Sequence, residues 1–338
     1  MEKKLSVGVI GLWMGRHHLK GLVDKNIEVA AICDINPETL KKEGDLNNIQ
    51  EEKRFTDWHD LLKIKEMNAV LIITPDQTHR EMSEAFLAAG KHVMCEKPLA
   101  LSREDLDAII AAANKADTKF MVGQICRFTP AFRKAKEIID AGTIGDVYFV
   151  ESEYAHDYAK IMHGWRRDPL RHGVVGGGCH AVDLLRWLVG DPEEVFAYGS
   201  HKLLPMVDYD DATISVLKFP NGVIGKVFVS TGCKRPYTMR TLIYGTKGTI
   251  ICDNTSDHME LYTLIEGDIS VNETPEIIPV DINNHNVVHE FEVFAGHILN
   301  DTPVAMSALE GAKTVATCHA IVESAKTGKP VKPNYNFG

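Results

Sequence analysis

Five short apolar runs recur in the first third of the chain, "SVGVI" at 6–10, "EVAAIC" at 28–33, "AVLII" at 69–73, "HVMC" at 92–95 and "KFMVG" at 119–123. Helix-length stretches separate most of them. Strands buried on both faces read as continuous apolar runs, and parallel neighbours need a crossover, normally a helix. The pattern therefore predicts an α/β domain with a doubly wound parallel sheet over residues 1–123. The stretch from His79 to Gly90 illustrates the crossovers: Met82, Ala85, Phe86 and Ala89 share one helical face, and a glycine closes it.

After Gly123 the texture changes. A helical "TPAFRKAKEIIDAG" leads into strands such as "VYFVESEYAH", "DATISVLKFPNGVIGKVFVSTG" and "MRTLIYGTKGTIICD". Asn221 and Gly222 separate two alternating runs, a strong hairpin signal. Residues 124–338 thus predict an α+β domain with a large, mostly antiparallel open sheet and helices on one face. Its closing helix, "SALEGAKTVATCHAIVESAKTG", ends at Gly328 with Pro330 beyond and is placed to pack across both domains. Two domains suit 338 residues, since one core seldom grows past roughly 250–300.

Charge narrows the choice of partners. A net charge of −10, with both signs interspersed, lacks the concentrated positive field of a nucleic-acid binder. No apolar run approaches the roughly 20 residues of a membrane span, and the apolar part of "MEKKLSVGVIG" is too short for a signal peptide, so a cytoplasmic location and no membrane partner are expected. The 7 cysteines are scattered singly, which argues against a disulfide framework and predicts buried thiols. Histidines such as His17, His18, His156, His163, His172, His180 and His201 show no paired ligand spacing, so no metal is expected.

"GVIGLWMGRHH" at 8–18 follows the first strand. In a nucleotide-binding βαβ unit, glycines permit the tight turn and let the backbone approach a pyrophosphate seated on the next helix's amides. Gly11 and Gly15 suit the first and last of these glycines, but the turn is one residue shorter than G-x-G-x-x-G and has no middle glycine. The backbone amides of Trp13 and Met14 are the expected phosphate donors. The second strand ends at Asp34, where a carboxylate accepts from an adenosine ribose and repels a 2′-phosphate. That favours NAD over NADP in a Rossmann domain, while a plain helix-capping role for Asp34 is the competing reading.

The stretch "LIITPDQTHREMSEAFLAAGKHVMCEKPLA" at 71–100 is far more specific. With "GVIGLWMGRHH", "CDINPE", "RFTPAF" at 127–132, "GTIGDV" at 142–147 and "YGTKGTI" at 244–250, it resembles the glucose-fructose oxidoreductase, inositol dehydrogenase and rhizopine catabolism (Gfo/Idh/MocA) family over nearly the whole chain. The resemblance implies that Glu96, Lys97 and Pro98 are the family's E-K-P signature, with Lys97 facing the nicotinamide, and that Thr74, Pro75, His79 and Glu96 line the cofactor. The chemistry agrees: ligands bind beyond the carboxyl ends of the strands, and a lysine there can shuttle a hydroxyl proton. A lysine's ordinary pKa of ~10.4 is high for a base at neutral pH, so burial or the nicotinamide cation should lower it.

The substrate side lies in "GWRRDPLRHGVVGGGCHAVDLLRWLVG". His180 and Asp183 share a helical face, and by resemblance His180 matches the family's catalytic histidine and Asp183 the acid one turn later. Many sugar and cyclitol members carry an aspartate four residues before that histidine, where this chain has Gly176. The acid is then dispensable or comes from Asp183, His156 or Asp157. Tyr154, His156, Asp157, Trp165, Arg166 and Asp168 together offer the aromatic surface and the donors and acceptors that a polyhydroxylated ring needs.

These features predict an NAD-dependent dehydrogenase that oxidises a secondary hydroxyl of a sugar, sugar derivative or cyclitol, with proton transfer by Lys97 and His180. Two rivals remain: a glycoside-cleaving or rearranging enzyme that recycles tightly bound NAD, and a non-catalytic sugar or redox sensor. Relatives assemble through the open sheet, so the resemblance implies a dimer or tetramer, and the alternating face around Thr213–Ser230 fits this.

Overall fold

The computed structural model describes residues 4–265, 267–283 and 285–338. In the first unit, β1 (Ser6–Ile10), α1 (Leu12–Asp24), β2 (Glu28–Cys33), α2 (Pro37–Leu46), β3 (Arg54–Phe55), β4 (Ala69–Ile72), α3 (His79–Ala88), β5 (His92–Glu96), α4 (Arg103–Lys115) and β6 (Phe120–Gly123) follow in order. All pairings in the sheet are parallel, in the order β3-β2-β1-β4-β5-β6. The order reverses between β1 and β4, which creates a crevice at their carboxyl ends.

Local sequence explains several boundaries. α2 opens on Asn36, whose side-chain oxygen accepts from the amides of Glu38 at 2.9 Å and Thr39 at 3.2 Å, with Pro37 in the first turn. α4 opens on Ser102, whose hydroxyl oxygen accepts from the Asp105 amide at 3.1 Å and donates to its carboxylate at 2.6 Å. Val7, Val9, Ile32, Leu71, Ile72, Val93 and Met94 fill the core on both faces of the sheet. Full burial of such a side chain contributes roughly 1.5–3 kcal/mol.

Two details differ from the sequence reading. The two-residue β3 carries no apolar run, and Ala89 lies exposed beyond α3, whose core face is completed by Ser83 and Leu87.

The second unit comprises α5 (Pro130–Asp140), β7 (Val147–Ala155), α6 (Cys179–Val189), β8 (Glu194–Ser200), β9 (Ala212–Lys218), β10 (Ile224–Ser230), β11 (Arg240–Gly245), β12 (Gly248–Asp253), β13 (His258–Thr263) and β14 (Glu276–Pro279). Its sheet runs β14-β13-β12-β11-β7-β10-β9-β8, antiparallel except for the parallel pair β7–β10. The expected hairpin joins β9 to β10 at Asn221–Gly222.

The chain returns to the first unit with α7 (Val287–Leu299) and the start of α8 (Ala308–Thr327), whose remainder belongs to the second. The first unit is therefore 1–124 with 287–312 and 337–338, and the second is 125–286 with 313–336. A single boundary at residue 123 misses this return. Within the first unit the Val122 amide donates to the Met306 carbonyl at 2.8 Å, which ties the returning segment to β6. All 7 cysteines are free thiols, and each is buried except the half-buried Cys233. No helix among the described residues is long and apolar enough to cross a membrane.

Candidate active site

In the first unit the candidate residues gather around the strand-order reversal. α1 starts directly after Gly11, whose φ of 86° lies in the region that favours glycine. A β-carbon at Gly11 would come within 2.7 Å of the Ile73 carbonyl carbon, beyond the end of β4, so the turn needs this glycine on both counts. A β-carbon at Gly15 would stand 3.3 Å from Ile73 Cδ1, so helix and strand pack closely there.

The first bond of the α1 ladder runs from the Gly15 amide to the Gly11 carbonyl at 3.2 Å, which leaves the amides of Leu12, Trp13 and Met14 outside it. No acidic residue lies in this first turn, and Trp13 and Met14 are exposed. The shortened turn thus retains a close-approach glycine and a helix start whose first amides lie outside the ladder, with that of Leu12 bonded to Asp34.

Asp34 lies just past β2, and its carboxylate accepts from the Leu12 amide at 2.7 Å and the Asn36 amide at 2.8 Å. It anchors the turn and keeps lone pairs for further donors, while the cap of α2 is Asn36 and not Asp34.

Thr74 closes the loop after β4, its hydroxyl accepting from Thr78 Oγ1 at 2.7 Å, and Pro75 precedes the short helical turn Asp76–Thr78. His79 is completely buried and occupies a different position from the expected cofactor wall. Its Nε2 faces the Thr74 carbonyl at 3.1 Å, and its Nδ1 faces the carbonyls of Pro98 at 3.1 Å and Leu99 at 3.2 Å. Burial opposes a charge on this ring, but Cys95, Asp76 and the Thr74 carbonyl outweigh it and raise the pKa to about 10. The imidazole thereby clamps the loop after β4 to the E-K-P loop.

Glu96 ends β5, and Lys97 and Pro98 follow through a cis bond. The Glu96 carboxylate accepts from the Lys97 amide at 3.0 Å and stands 3.7 Å from His18 Nε2. Lys97 is half-buried at the carboxyl end of the strand.

The second unit builds around His180 in the first turn of α6. The preceding Val174–Gly178 forms a π-helical turn pressed against its neighbours. A β-carbon on Gly177 would fall 2.6 Å from Tyr154 Cε1 and 2.7 Å from the Tyr158 hydroxyl, and one on Gly176 would overlap the Arg171 guanidinium. The space beside Gly176, where the resemblance implied an aspartate, is therefore filled by the buried Arg171.

His180 Nδ1 lies 3.3 Å from Cys126 Sγ, and its ring stacks on Tyr154 at 5.8 Å and 25°. The Tyr154 hydroxyl is 2.6 Å from that of Tyr158 and 3.2 Å from His156 Nδ1. Tyr237 packs against both Tyr154, at 5.5 Å, and His156, at 4.9 Å, and stacks on His285 at 6.0 Å. Burial raises the phenol pKa values of Tyr154 and Tyr237 well above the ordinary value, so both are neutral donors.

Other expected residues have local partners of their own. Asp157 sits in an open turn, accepting from the Ala159 amide at 3.0 Å and pairing with Lys234 at 3.3 Å; those contacts, led by the amide, lower its pKa. Asp168 caps the helical turn Pro169–Arg171 by accepting from the Leu170 amide at 3.0 Å. Trp165 carries Arg166 and Arg171 over its ring at 4.1 and 4.8 Å.

Asp183 departs most from expectation. Its side chain is 1% exposed and held bidentately by Arg127, at 2.7 and 2.8 Å, and by the Thr314 hydroxyl at 2.9 Å. This is a structural ion pair and not an acid open to substrate. The sequence reading missed Cys126, Tyr158, Arg171, Tyr237 and His285. Only Cys126 had a signal, its position beside "RFTPAF".

Comparison with known proteins agrees with this architecture. Residues 5–124 match the family described as an oxidoreductase family with an NAD-binding Rossmann fold, and residues 132–251 match the Gfo/Idh/MocA C-terminal domain. Myo-inositol 2-dehydrogenase of Thermotoga maritima is 30% identical over 346 residues, 97% of this chain and 98% of that protein. Levoglucosan dehydrogenase of Pseudarthrobacter phenanthrenivorans is 28% identical over 252 residues, 65% of this chain and 63% of that one. A solved levoglucosan dehydrogenase in complex with NADH and levoglucosan superimposes with a TM-score of 0.87 at 25% identity, over 98% of this chain and 100% of that one. The Rossmann sheet, the cofactor turn and the matches over both domains place the chain in the Gfo/Idh/MocA family of NAD-binding oxidoreductases.

Proposed function

We propose that the protein is an NAD-dependent dehydrogenase that oxidises a secondary hydroxyl of a cyclic polyol, either a sugar, a sugar derivative or a cyclitol. The observation that carries this reading is the position of Lys97, half-buried at the carboxyl end of β5 beside the strand-order reversal. When bound, NAD supplies the hydride acceptor. Gly11, Gly15 and the amides of Trp13 and Met14 would hold its pyrophosphate and Asp34 its ribose, with Thr74, Pro75 and Glu96 along the rest. Lys97 takes the proton released by the hydroxyl, and His180 is the second proton-transfer group. Tyr154, His156, Tyr237, Trp165 and Arg166 supply aromatic surface and hydrogen-bond donors for the ring, which is the recognition that the inositol and levoglucosan dehydrogenases' names call for.

NADH formation across a panel of inositols, aldoses and anhydrosugars, with NAD and NADP offered separately, tests the reading. Net NADH is expected, with calorimetry showing at least roughly tenfold tighter NAD binding, because a 2′-phosphate would meet the Asp34 carboxylate. Turnover of a glycoside without net NADH would mean a recycled cofactor. Tight sugar binding without any turnover would mean a sensor.

The second unit's sheet favours self-association. Tyr198, opposite Ile214 on the paired strand, and Val216 and Ile224 nearby are all 44–66% exposed on its open face. Such an apolar patch suits a second copy of the chain. Light scattering is expected to give a dimer or tetramer mass, and Ile214→Glu to lower it; a monomeric wild type refutes this.

A further inference from the structure

One buried ionisable group has no part in the reaction proposed above. Glu290, on α7, is fully buried, and neither of its carboxyl oxygens has a hydrogen-bond partner among the described residues. The same is true of Nδ1 of the buried His18, on α1, whose Nε2 lies 3.7 Å from Glu96. α7 packs along α1 so tightly that a β-carbon on Gly21 would stand 2.8 Å from Val288 Cγ2. α7 lies within electrostatic reach of Glu96, whose charge acts on Glu290 to raise its pKa. Glu96, at the end of β5, thus has the His18 imidazole beside it, is bonded to the Lys97 amide and acts electrostatically on the buried Glu290.

Of two carboxyls that feel each other's charge, the more deeply buried one keeps its proton. Burial opposes the charge on Glu96, but His18 and then Lys97 outweigh it and lower its pKa. On Glu290 both burial and the charge of Glu96 act to retain the proton. The other ionisable groups of this part of α7 face outward: His289 pairs with Glu292 at 3.4 Å, and Glu292 with Lys25 of the C-terminal end of α1 at 2.7 Å.

We propose that Glu290 is a positioning residue for Glu96, and through it for Lys97, a neutral carboxylic acid that leaves Glu96 as the single negative charge of the pair. Its consequence for turnover rests on the proton-transfer reading of Lys97, but its protonation does not. A second charge at this place would favour the ammonium form of Lys97, which cannot accept a hydroxyl proton.

Glu290→Gln mimics the neutral acid permanently, so the full-length wild type and variant are compared by urea unfolding across a pH series. In the unfolded chain Glu290 ionises near its ordinary pKa of about 4.3. In the folded protein it ionises at a higher pH, so the wild type loses stability relative to the variant as pH rises through that window. The ratio of the two unfolding constants is expected to change by up to about tenfold per pH unit and then level off. A ratio that does not vary with pH overturns the proposal.

Should the variant fail to fold, infrared spectra of wild type carrying ¹³C-labelled glutamate must show a protonated carboxyl at neutral pH, and its absence overturns the proposal equally. In turnover assays the variant is expected to keep the acid limb of the wild-type kcat profile and lose the alkaline decline. Identical limbs on both sides remove the positioning role. The unfolding comparison needs no substrate, so a failed dehydrogenase reading leaves it intact, and a constant ratio with normal turnover sinks the Glu290 assignment alone.

Discussion

Replacing Lys97 with methionine is expected to lower kcat by about 10²–10⁴-fold, the range for loss of a positioned general acid or base. Methionine keeps most of the length and apolar volume of the lysine stem, so the half-buried position stays filled. The Glu96 carboxylate is held by a backbone amide that survives the change. The Gly11 turn and Asp34 are untouched, so calorimetric NAD affinity should stay within about threefold, less than the loss of one ordinary hydrogen bond. A variant with wild-type turnover on the true substrate would refute the role of Lys97. A variant that loses NAD binding as well would move the lysine from proton transfer to cofactor binding.

The second large effect is on stability. Asp183→Ala strands the Arg127 guanidinium, 9% exposed, without its bidentate carboxylate. Breaking a buried ion pair from one side costs about 3–5 kcal/mol. At roughly 2–4 °C per kcal/mol for a unit of this size, Tm should fall by about 6–20 °C. The double replacement Arg127→Met with Asp183→Leu should recover most of the loss, because it removes the uncompensated charge together with its partner. Differential scanning calorimetry on the set decides between the two roles of Asp183. An unchanged Tm with lost turnover would restore it to the chemistry.

The parts legible in the sequence are those where burial imposes a continuous pattern. The β1, β2 and β5 strands could be read almost to the residue because both faces of a parallel sheet are apolar. β3, two residues long, follows from its neighbours and has no pattern of its own. Asp183 shares a helix face with His180, and that spacing is equally compatible with catalysis and with an ion pair. Only the reach of Arg127 from 56 positions away decides it. His79 could be read as a motif member but not as a clamp, since its three carbonyl partners come from two separate loops. Tyr237 lies in "TGCKRPYTMR", a polar stretch without periodicity, and nothing local marks it.

The parallel pairing of β7 and β10 accounts for what Tyr237 does. Two antiparallel strands would release their chain ends on opposite edges of the sheet, whereas these two release them on the same edge. The segments after Ala155 and Ser230 leave side by side, bonded from the His156 amide to the Ser230 carbonyl at 2.9 Å and from the Tyr158 amide to the Thr231 carbonyl at 2.8 Å. Two loops thus hang side by side from one pair of strands, held together by backbone bonds that do not depend on the side chains they carry. Under the proposed polyol reading, exchanging the exposed positions 234–236 should alter preference among polyols while the strand pairing beneath stays as it is.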